Sequence, residues 1–140
     1  MIYFNYETAF NLADESKFSD WITAVAISEN KTIGEINYIF CDDEYLIKVN
    51  VAFLNHDTYT DIITFDYSVG NEITADIYIS VDMVRENAIE YHQDFKNELL
   101  RVMSHGILHC CGFKDKNDAD CRLMRNKENE KIALFHVEQD

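Results

Sequence analysis

Two histidines and an aspartate in one short segment constrain the fold of this chain more than any other feature of its sequence. His105 and His109 are four residues apart, Gly112 follows, and Asp115 comes three residues later. Residues four apart on a helix lie on the same face, where two imidazoles can bind one ion without distorting the backbone. Glycine can adopt the left-handed conformation that ends a helix and turns the chain. The segment therefore predicts a helix that ends beside a metal site.

The three side chains form a donor set typical of a catalytic zinc site. Two neutral imidazoles and one carboxylate, from His105, His109 and Asp115, supply the protein ligands and leave a further coordination position open to water or substrate. We predict one zinc ion per chain at this site. Because histidine pairs at this spacing also occur on ordinary helix surfaces, a site without a metal is the alternative.

Gly106 distinguishes this segment from that of a zinc peptidase. In such enzymes a glutamate after the first histidine deprotonates the water at the metal, and this chain has glycine there. Glycine inside a helix costs about 1 kcal/mol relative to alanine, which suggests that a second helix or a substrate backbone approaches closely. We predict a zinc-peptidase scaffold that serves another reaction, unless a carboxylate from elsewhere replaces the glutamate.

The helix that contains the histidines separates a polar face from an apolar one. Asp94 is placed to cap its first turn, and Glu98 and Arg101 lie on the same stripe as the histidines. The residues about opposite are apolar: Leu99, Met103, Ile107 and Cys110. We expect this apolar stripe to face the core and the histidines to lie in a cleft or at the surface.

The distribution of strand and helix signals predicts an α+β fold. Strand signals lie at residues 1–8, 35–41, 61–67 and 73–80, and Gly70 predicts a hairpin between the last two. Helix signals lie at residues 19–31, with Ser19 or Asp20 as N-cap, and at 42–55, 80–93, 94–111 and 119–135. We predict a single domain over residues 1–140, with one mixed sheet of about four strands, helices packed against it and a zincin-like metal helix.

The charge distribution limits the classes of binding partner. The net charge of -14 argues on average against binding of nucleic acid, because phosphate binding depends on lysine and arginine, and we expect no DNA partner. Residues 1–95 contain 4 basic and 18 acidic side chains, whereas residues 96–140 contain 8 of each. A polyanionic substrate beside the metal motif is therefore compatible with the sequence. No apolar run approaches the roughly 18 residues that span a bilayer, and no membrane partner is expected.

The cysteines and the first residues predict a cytoplasmic protein. The four cysteines show no paired spacing, and the adjacent Cys110 and Cys111 are poorly placed for a mutual disulfide. The first ten residues lack both the basic start and the apolar stretch of a secretory signal. Both observations favour a reducing compartment.

The metal segment resembles that of the YbeY family, whose members are bacterial single-strand-specific endoribonucleases and ribosomal RNA maturation factors. The family motif has the form H-G-x-L-H-L-x-G-Y-D-H, and residues 105–115 read HGILHCCGFKD. Phe113 replaces the family's tyrosine and Lys114 its aspartate, while Asp115 stands where the family has its third zinc-binding histidine. A carboxylate binds zinc at a similar distance to imidazole, and we therefore expect the site to tolerate this difference.

Two further segments extend the resemblance over nearly the whole chain. The family's T-N-V-L-S-F strand is similar to TDIITF at residues 60–65, preceded by Leu54 and Asn55, and its G-D-I strand entry is similar to ADIYIS at residues 75–80. The resemblance implies a metal-dependent endoribonuclease that acts in ribosomal RNA maturation and ribosome quality control, with ribosomal RNA or the small ribosomal subunit as partner. The alternatives are a metallopeptidase-like hydrolase and a ribosome-assembly binding protein with a structural zinc.

The resemblance also indicates where RNA would bind. Members of the family carry a phosphate-binding arginine in a loop that corresponds to residues 56–59, where this chain has none. Arg101, Lys114 and Lys116 are the candidate replacements, and His56 is a further candidate donor. Single-stranded bases stack on aromatic rings, and the candidate platforms here are three aromatic residues: Tyr59, Tyr67 and Phe113.

Overall fold

The computed structural model describes residues 1–55 and 59–137, which form four strands and five α-helices. The strands are β1 (Ile2–Tyr6), β2 (Thr32–Cys41), β3 (Ile62–Asp66) and β4 (Glu72–Ser80). The helices are α1 (Glu15–Ser28), α2 (Asp43–Val49), α3 (Val81–Glu90), α4 (Phe95–Cys110) and α5 (Asp118–Val137), and a π-helical turn over Asn50–Leu54 follows α2.

The strands form one mixed sheet in the order β1-β2-β4-β3. Strand β2 is parallel to both β1 and β4, whereas β3 is antiparallel to β4 and lies at an edge. The turn between β3 and β4 contains Gly70 at φ 60°, a conformation that glycine adopts readily. The α+β fold with one mixed sheet and the predicted hairpin are therefore confirmed.

The core lies between one face of the sheet and helices α1, α3, α4 and α5. Tyr38 and Ile77 are paired across β2 and β4, and both are fully buried. The hydroxyl of Tyr38 donates a 2.9 Å hydrogen bond to the carbonyl of Met103, and the indole of Trp21 donates a 2.7 Å bond to the carbonyl of Lys131. These bonds tie α4 to the sheet and α1 to α5.

Helix boundaries follow the capping side chains. Asp94 caps α4 as predicted, and Ser80 caps α3, because their side chains accept hydrogen bonds from the first-turn N–H groups. Helix α1, however, begins at Glu15, since Asp14 accepts a 3.2 Å bond from the N–H of Lys17. The prediction of Ser19 or Asp20 as the N-cap of α1 was wrong.

Gly106 lies where α4 packs closely on the sheet. A Cβ atom on this residue would lie 3.1 Å from Cδ1 of Ile77 and 3.2 Å from Cδ1 of Ile62. The close neighbour of this glycine is therefore the sheet itself, through β4 and the edge strand β3, and not a second helix or a substrate. This packing places the histidine face of α4 beside the edge of the sheet.

Two further sequence predictions concern membranes and cysteines. Among the described residues, no helix combines the length and the hydropathy that crossing a bilayer requires. All four cysteines are free thiols. The prediction that Cys110 and Cys111 form no mutual disulfide is therefore confirmed.

Candidate metal centre

The structure brings His105, His109 and Asp115 together at the end of α4. Gly112 has φ 100°, which reverses the chain after the helix and returns Asp115 towards the two rings. Oδ2 of Asp115 lies 3.3 Å from Nε2 of His105 and 3.4 Å from Nε2 of His109. One donor atom from each of the three residues lies within 4.8 Å of the others, the only such group among the described residues.

These distances fit a single zinc ion. Zinc binds imidazole nitrogen and carboxylate oxygen at about 2.0–2.2 Å in tetrahedral geometry, which separates two donors by about 3.3–3.5 Å. Both distances from Asp115 fall in this range. The two histidine rings are nearly perpendicular, at 84°, with their centroids 4.5 Å apart. The chain thus presents a compact set of nitrogen and oxygen donors of the kind that zinc prefers.

Glu128 on α5 orients His105. Its Oε2 lies 2.7 Å from Nδ1 of His105, and the Glu128 side chain is almost completely buried. When Nδ1–H donates to this carboxylate, Nε2 carries no proton and its lone pair is available on the side of Asp115. Burial disfavours a charge on His105, but the hydrogen bond to Glu128 and the negative charges of Glu128, Asp115 and Asp61 together outweigh it, and the pKa of His105 is raised.

Arg101 holds Glu128 in place. Its guanidinium donates to Oε1 of Glu128 at 3.1 Å and to Oδ1 of Asn129 at 3.1 Å, and its Nε lies 3.8 Å from Glu98. The Arg101 side chain is only 13% exposed. Its two terminal nitrogens therefore each donate to a residue of α5. The assignment of Arg101 to an RNA phosphate stays a prediction.

The two candidate lysines lie outside the groove. Lys114 and Lys116 flank Asp115 and are exposed, but neither lines the cavity beside the metal ligands. Their assignment as phosphate ligands also stays a prediction. His56 and the loop positions 56–58 lie outside the described residues.

The candidate stacking platforms do not line the cavity either. Tyr59 and Tyr67 are exposed at other positions, and Phe113 is half-buried with the ammonium of Lys127 5.2 Å from its ring centre. Tyr91, which follows α3, is instead the tyrosine that lines the cavity. No spacing in the sequence relates Tyr91 to the metal motif.

The metal ligands lie in an open groove with a volume of about 640 Å³. Its floor is the polar face of α4, and its walls are the edge strand β3, the end of α3 and the middle of α5. The charged side chains that line it are Asp61, Asp66, Glu98, Arg101, Asp115, Arg125 and Glu128. Carboxylates therefore outnumber guanidinium groups by five to two before any ion binds.

Asp61 brings a carboxylate to the groove from the sheet. It directly precedes β3, accepts a 3.2 Å hydrogen bond from the amide of Asn87, and has its pKa raised by burial. Burial also raises the pKa of Glu98, two turns before His105. The absence of a glutamate at position 106 thus does not leave the groove without carboxylates.

The cysteines near α4 contribute no ligand to the three-residue cluster. Burial raises the pKa of Cys110 to about 12 and that of Cys111 to about 11, which keeps both thiols protonated. Cys121 instead lies with Sγ 3.2 Å from the backbone oxygen of Asp115. This contact supports the turn that carries the third ligand.

Comparison with known proteins places this centre in a family. The family model of endoribonuclease YbeY matches residues 3–136. The chain belongs to the YbeY family. The resemblance found in the sequence is therefore confirmed over almost the entire chain.

Three comparisons illustrate the similarity. A protein of Flavobacterium johnsoniae named endoribonuclease YbeY is 65% identical over 139 residues, which cover 99% of this chain and 100% of the relative. A protein of the same name from Flavobacterium psychrophilum is 59% identical over 140 residues, with 100% of both chains covered. The solution structure of a Thermotoga maritima protein has a TM-score of 0.65 and 26% identity, and the match covers 99% of this chain and 91% of that one.

Proposed function

We propose that this chain is a metal-dependent, single-strand-specific endoribonuclease that acts in ribosomal RNA maturation and ribosome quality control in the cytoplasm. The observation that carries the proposal is the open groove in which His105, His109 and Asp115 converge. The names of the YbeY relatives support the ribonuclease activity. One zinc ion per chain is the proposed cofactor, and ribosomal RNA or the small subunit is the proposed partner.

The residues around the groove suit a reaction at a phosphodiester. His105, His109 and Asp115 would hold a divalent ion, whose charge would polarise a phosphoryl oxygen or lower the pKa of water. Glu128 keeps the Nδ1 proton of His105 away from the ligand side of the ring. Arg125, which lines the groove and is largely exposed, can donate to an incoming phosphate.

The geometry at Gly106 argues against the peptidase alternative. A side chain at this position points to Ile62 and Ile77 on the sheet rather than into the groove. A glutamate there would bury its carboxylate among apolar groups, which is unfavourable without a partner. The segment therefore has the histidine spacing of a zinc peptidase but lacks the glutamate that serves as the base in such an enzyme.

The test uses purified protein with defined oligonucleotides. We expect about one zinc per chain by elemental analysis, and cleavage of a single-stranded RNA but not of its duplex or its DNA counterpart. Chelation should abolish cleavage and zinc should restore it, while His109→Ala should be inactive with an unchanged circular dichroism spectrum. The chemical ends of the products distinguish attack by the neighbouring 2'-hydroxyl, which leaves a cyclic phosphate, from attack by water.

Two outcomes would favour the alternatives. Chelator-sensitive cleavage of casein without cleavage of RNA would support a peptidase. Ribosome association without any RNA cleavage, lost together with stability when zinc is removed, would support a binding protein with a structural zinc.

A further inference from the structure

We propose that Tyr91 and Glu98 form a base-binding subsite for a nucleotide next to the cleaved bond, and that this subsite prefers guanine to uracil. The inference rests on the proposed ribonuclease function and specifies which part of the RNA lies in which part of the groove. Tyr91, which follows α3, and Glu98, in the first turn of α4, line the same groove as the metal ligands.

The charge of the groove determines the orientation of the RNA. A phosphate is repelled where carboxylates are in excess and is bound where cations are available. Arg101 is already paired with Glu128 and Asn129. Arg125 has its Nε 3.7 Å from Glu128, but its side chain is 58% exposed. Arg125 and the ion at the metal centre are therefore the cations accessible to a phosphate, and the uncharged base is the part of the nucleotide that fits beside the carboxylate of Glu98.

The distance along α4 suits a neighbouring nucleotide. Glu98 precedes His105 by seven residues, which corresponds to about 10 Å at the rise of an α-helix. Both side chains line the same groove. A nucleotide adjoining the phosphate at the metal centre can therefore place its base beside Glu98.

Tyr91 provides a surface on which that base can stack. Its side chain follows the last turn of α3 and is 53% exposed, although it lines the groove. Asn87, one turn earlier, donates to Asp61 across the groove and connects α3 to the sheet at this wall. Stacking on an aromatic ring contributes binding to any base. Tyr91 alone therefore supports single-strand binding without selecting a sequence.

Glu98 supplies the selectivity. The residue is only 4% exposed, yet no described residue donates a hydrogen bond to its carboxylate. The nearest cationic atom, Nε of Arg101, is 3.8 Å away, which is longer than a hydrogen bond. A buried carboxylate with free acceptor capacity favours a ligand with two adjacent donors.

Guanine has the matching hydrogen-bonding edge. Its N1–H and N2–H groups are adjacent and can donate to the two oxygens of one carboxylate. Uracil has a single N3–H between two carbonyl oxygens, which the carboxylate repels. The preference follows from this difference in donors and not from the size of the base.

The test compares oligonucleotides that differ at one position beside the cleaved bond. Replacing guanine by inosine removes only the N2 amino group, and we expect kcat/KM to fall about tenfold, the equivalent of one hydrogen bond to a charged group. Glu98→Gln should abolish the preference for guanine and improve cleavage at uracil, because an amide can pair with both N3–H and O4. Thermal melting confirms that this variant is folded.

The stacking surface has its own variants. Tyr91→Ala should raise KM about tenfold for every base, as expected for the loss of one stacking contact. Tyr3→Ala is the matched control, since Tyr3 is also exposed, at 42%, but lies on β1 away from the groove.

Different failures have different meanings. If single-stranded RNA is cleaved but inosine at every neighbouring position is equivalent to guanine, or Glu98→Gln keeps the wild-type preference, the subsite is wrong and the ribonuclease function stands. If no RNA is cleaved at all, the proposed function is overturned and the subsite with it.

Discussion

Nδ1 of His105 lies 2.7 Å from Oε2 of Glu128, and this contact joins the metal centre on α4 to α5. The same carboxylate accepts a hydrogen bond from Arg101. The orientation of His105 therefore depends on Glu128, which is 23 positions away in the sequence, and Glu128 in turn is held by Arg101, 27 positions away from it.

We expect Glu128→Gln to weaken zinc binding about 10- to 100-fold, the usual effect of losing a carboxylate behind a ligating histidine. The amide keeps the size of the side chain but removes the charge that fixes the Nδ1 proton. Competition with a chromophoric chelator measures the affinity. Glu130→Gln, an exposed position on the same helix, is the control, and equal affinities of both variants would contradict the role of Glu128.

Asp115→Ala should abolish stoichiometric zinc binding, while Asp115→His should restore it because imidazole can donate from the same turn. Since the Asp115 side chain is 44% exposed, the metal-free stability of the alanine variant should change by no more than about 0.5 kcal/mol. Elemental analysis and urea denaturation of the chelated protein provide the two measurements. Full zinc occupancy of Asp115→Ala would show that another residue completes the site.

Gly106→Glu should lower the free energy of unfolding by about 3 kcal/mol or more, because it places a charged side chain against Ile62 and Ile77. Gly106→Ala is the control. Its higher helix propensity, worth about 1 kcal/mol, opposes the close contacts of its Cβ atom, and a small net change is expected. If urea denaturation shows that Gly106→Glu is as stable as the wild type, the packing argument is refuted.

Removing Arg101 should be costly to the fold. Arg101→Met removes the nearest cation of the buried carboxylates of Glu98 and Glu128, and breaking such a pair costs about 3–5 kcal/mol. Arg85→Met is the matched control, since Arg85 forms an exposed pair with Asp82 at 3.6 Å, and exposed pairs contribute about 1 kcal/mol or less. Equal losses in urea denaturation would contradict the buried network.

Acid should weaken the contact between α1 and α5 at Glu29. Burial opposes the charge of this carboxylate, but hydrogen bonds from Lys131 and Lys127 outweigh it and lower its pKa below 4.5. A pKa lowered by folding adds stability above the unfolded-state value, and that stability is lost as the pH falls through the folded-state value. The stability difference between wild type and Glu29→Gln should therefore be larger at pH 7 than at pH 3. A constant difference would contradict the ion pair.

The sequence by itself determined the local features of this protein. The spacing of His105, His109 and Asp115 around Gly112 fixed the donor set, because helical periodicity and one reversal of the chain are short-range properties. Side chains such as Asp94 also identified the start of α4 from a few neighbouring residues.

Only the tertiary structure decided what surrounds the metal centre. Asp61 precedes β3, Tyr91 follows α3 and Glu128 lies on α5, and no periodicity relates them to the histidines. Their positions follow from the packing of the helices on the sheet, which also explained Gly106 through Ile62 and Ile77. Packing joins residues that are distant in the chain, and a local pattern therefore cannot specify which carboxylate lies behind a ligand or which ring borders the groove.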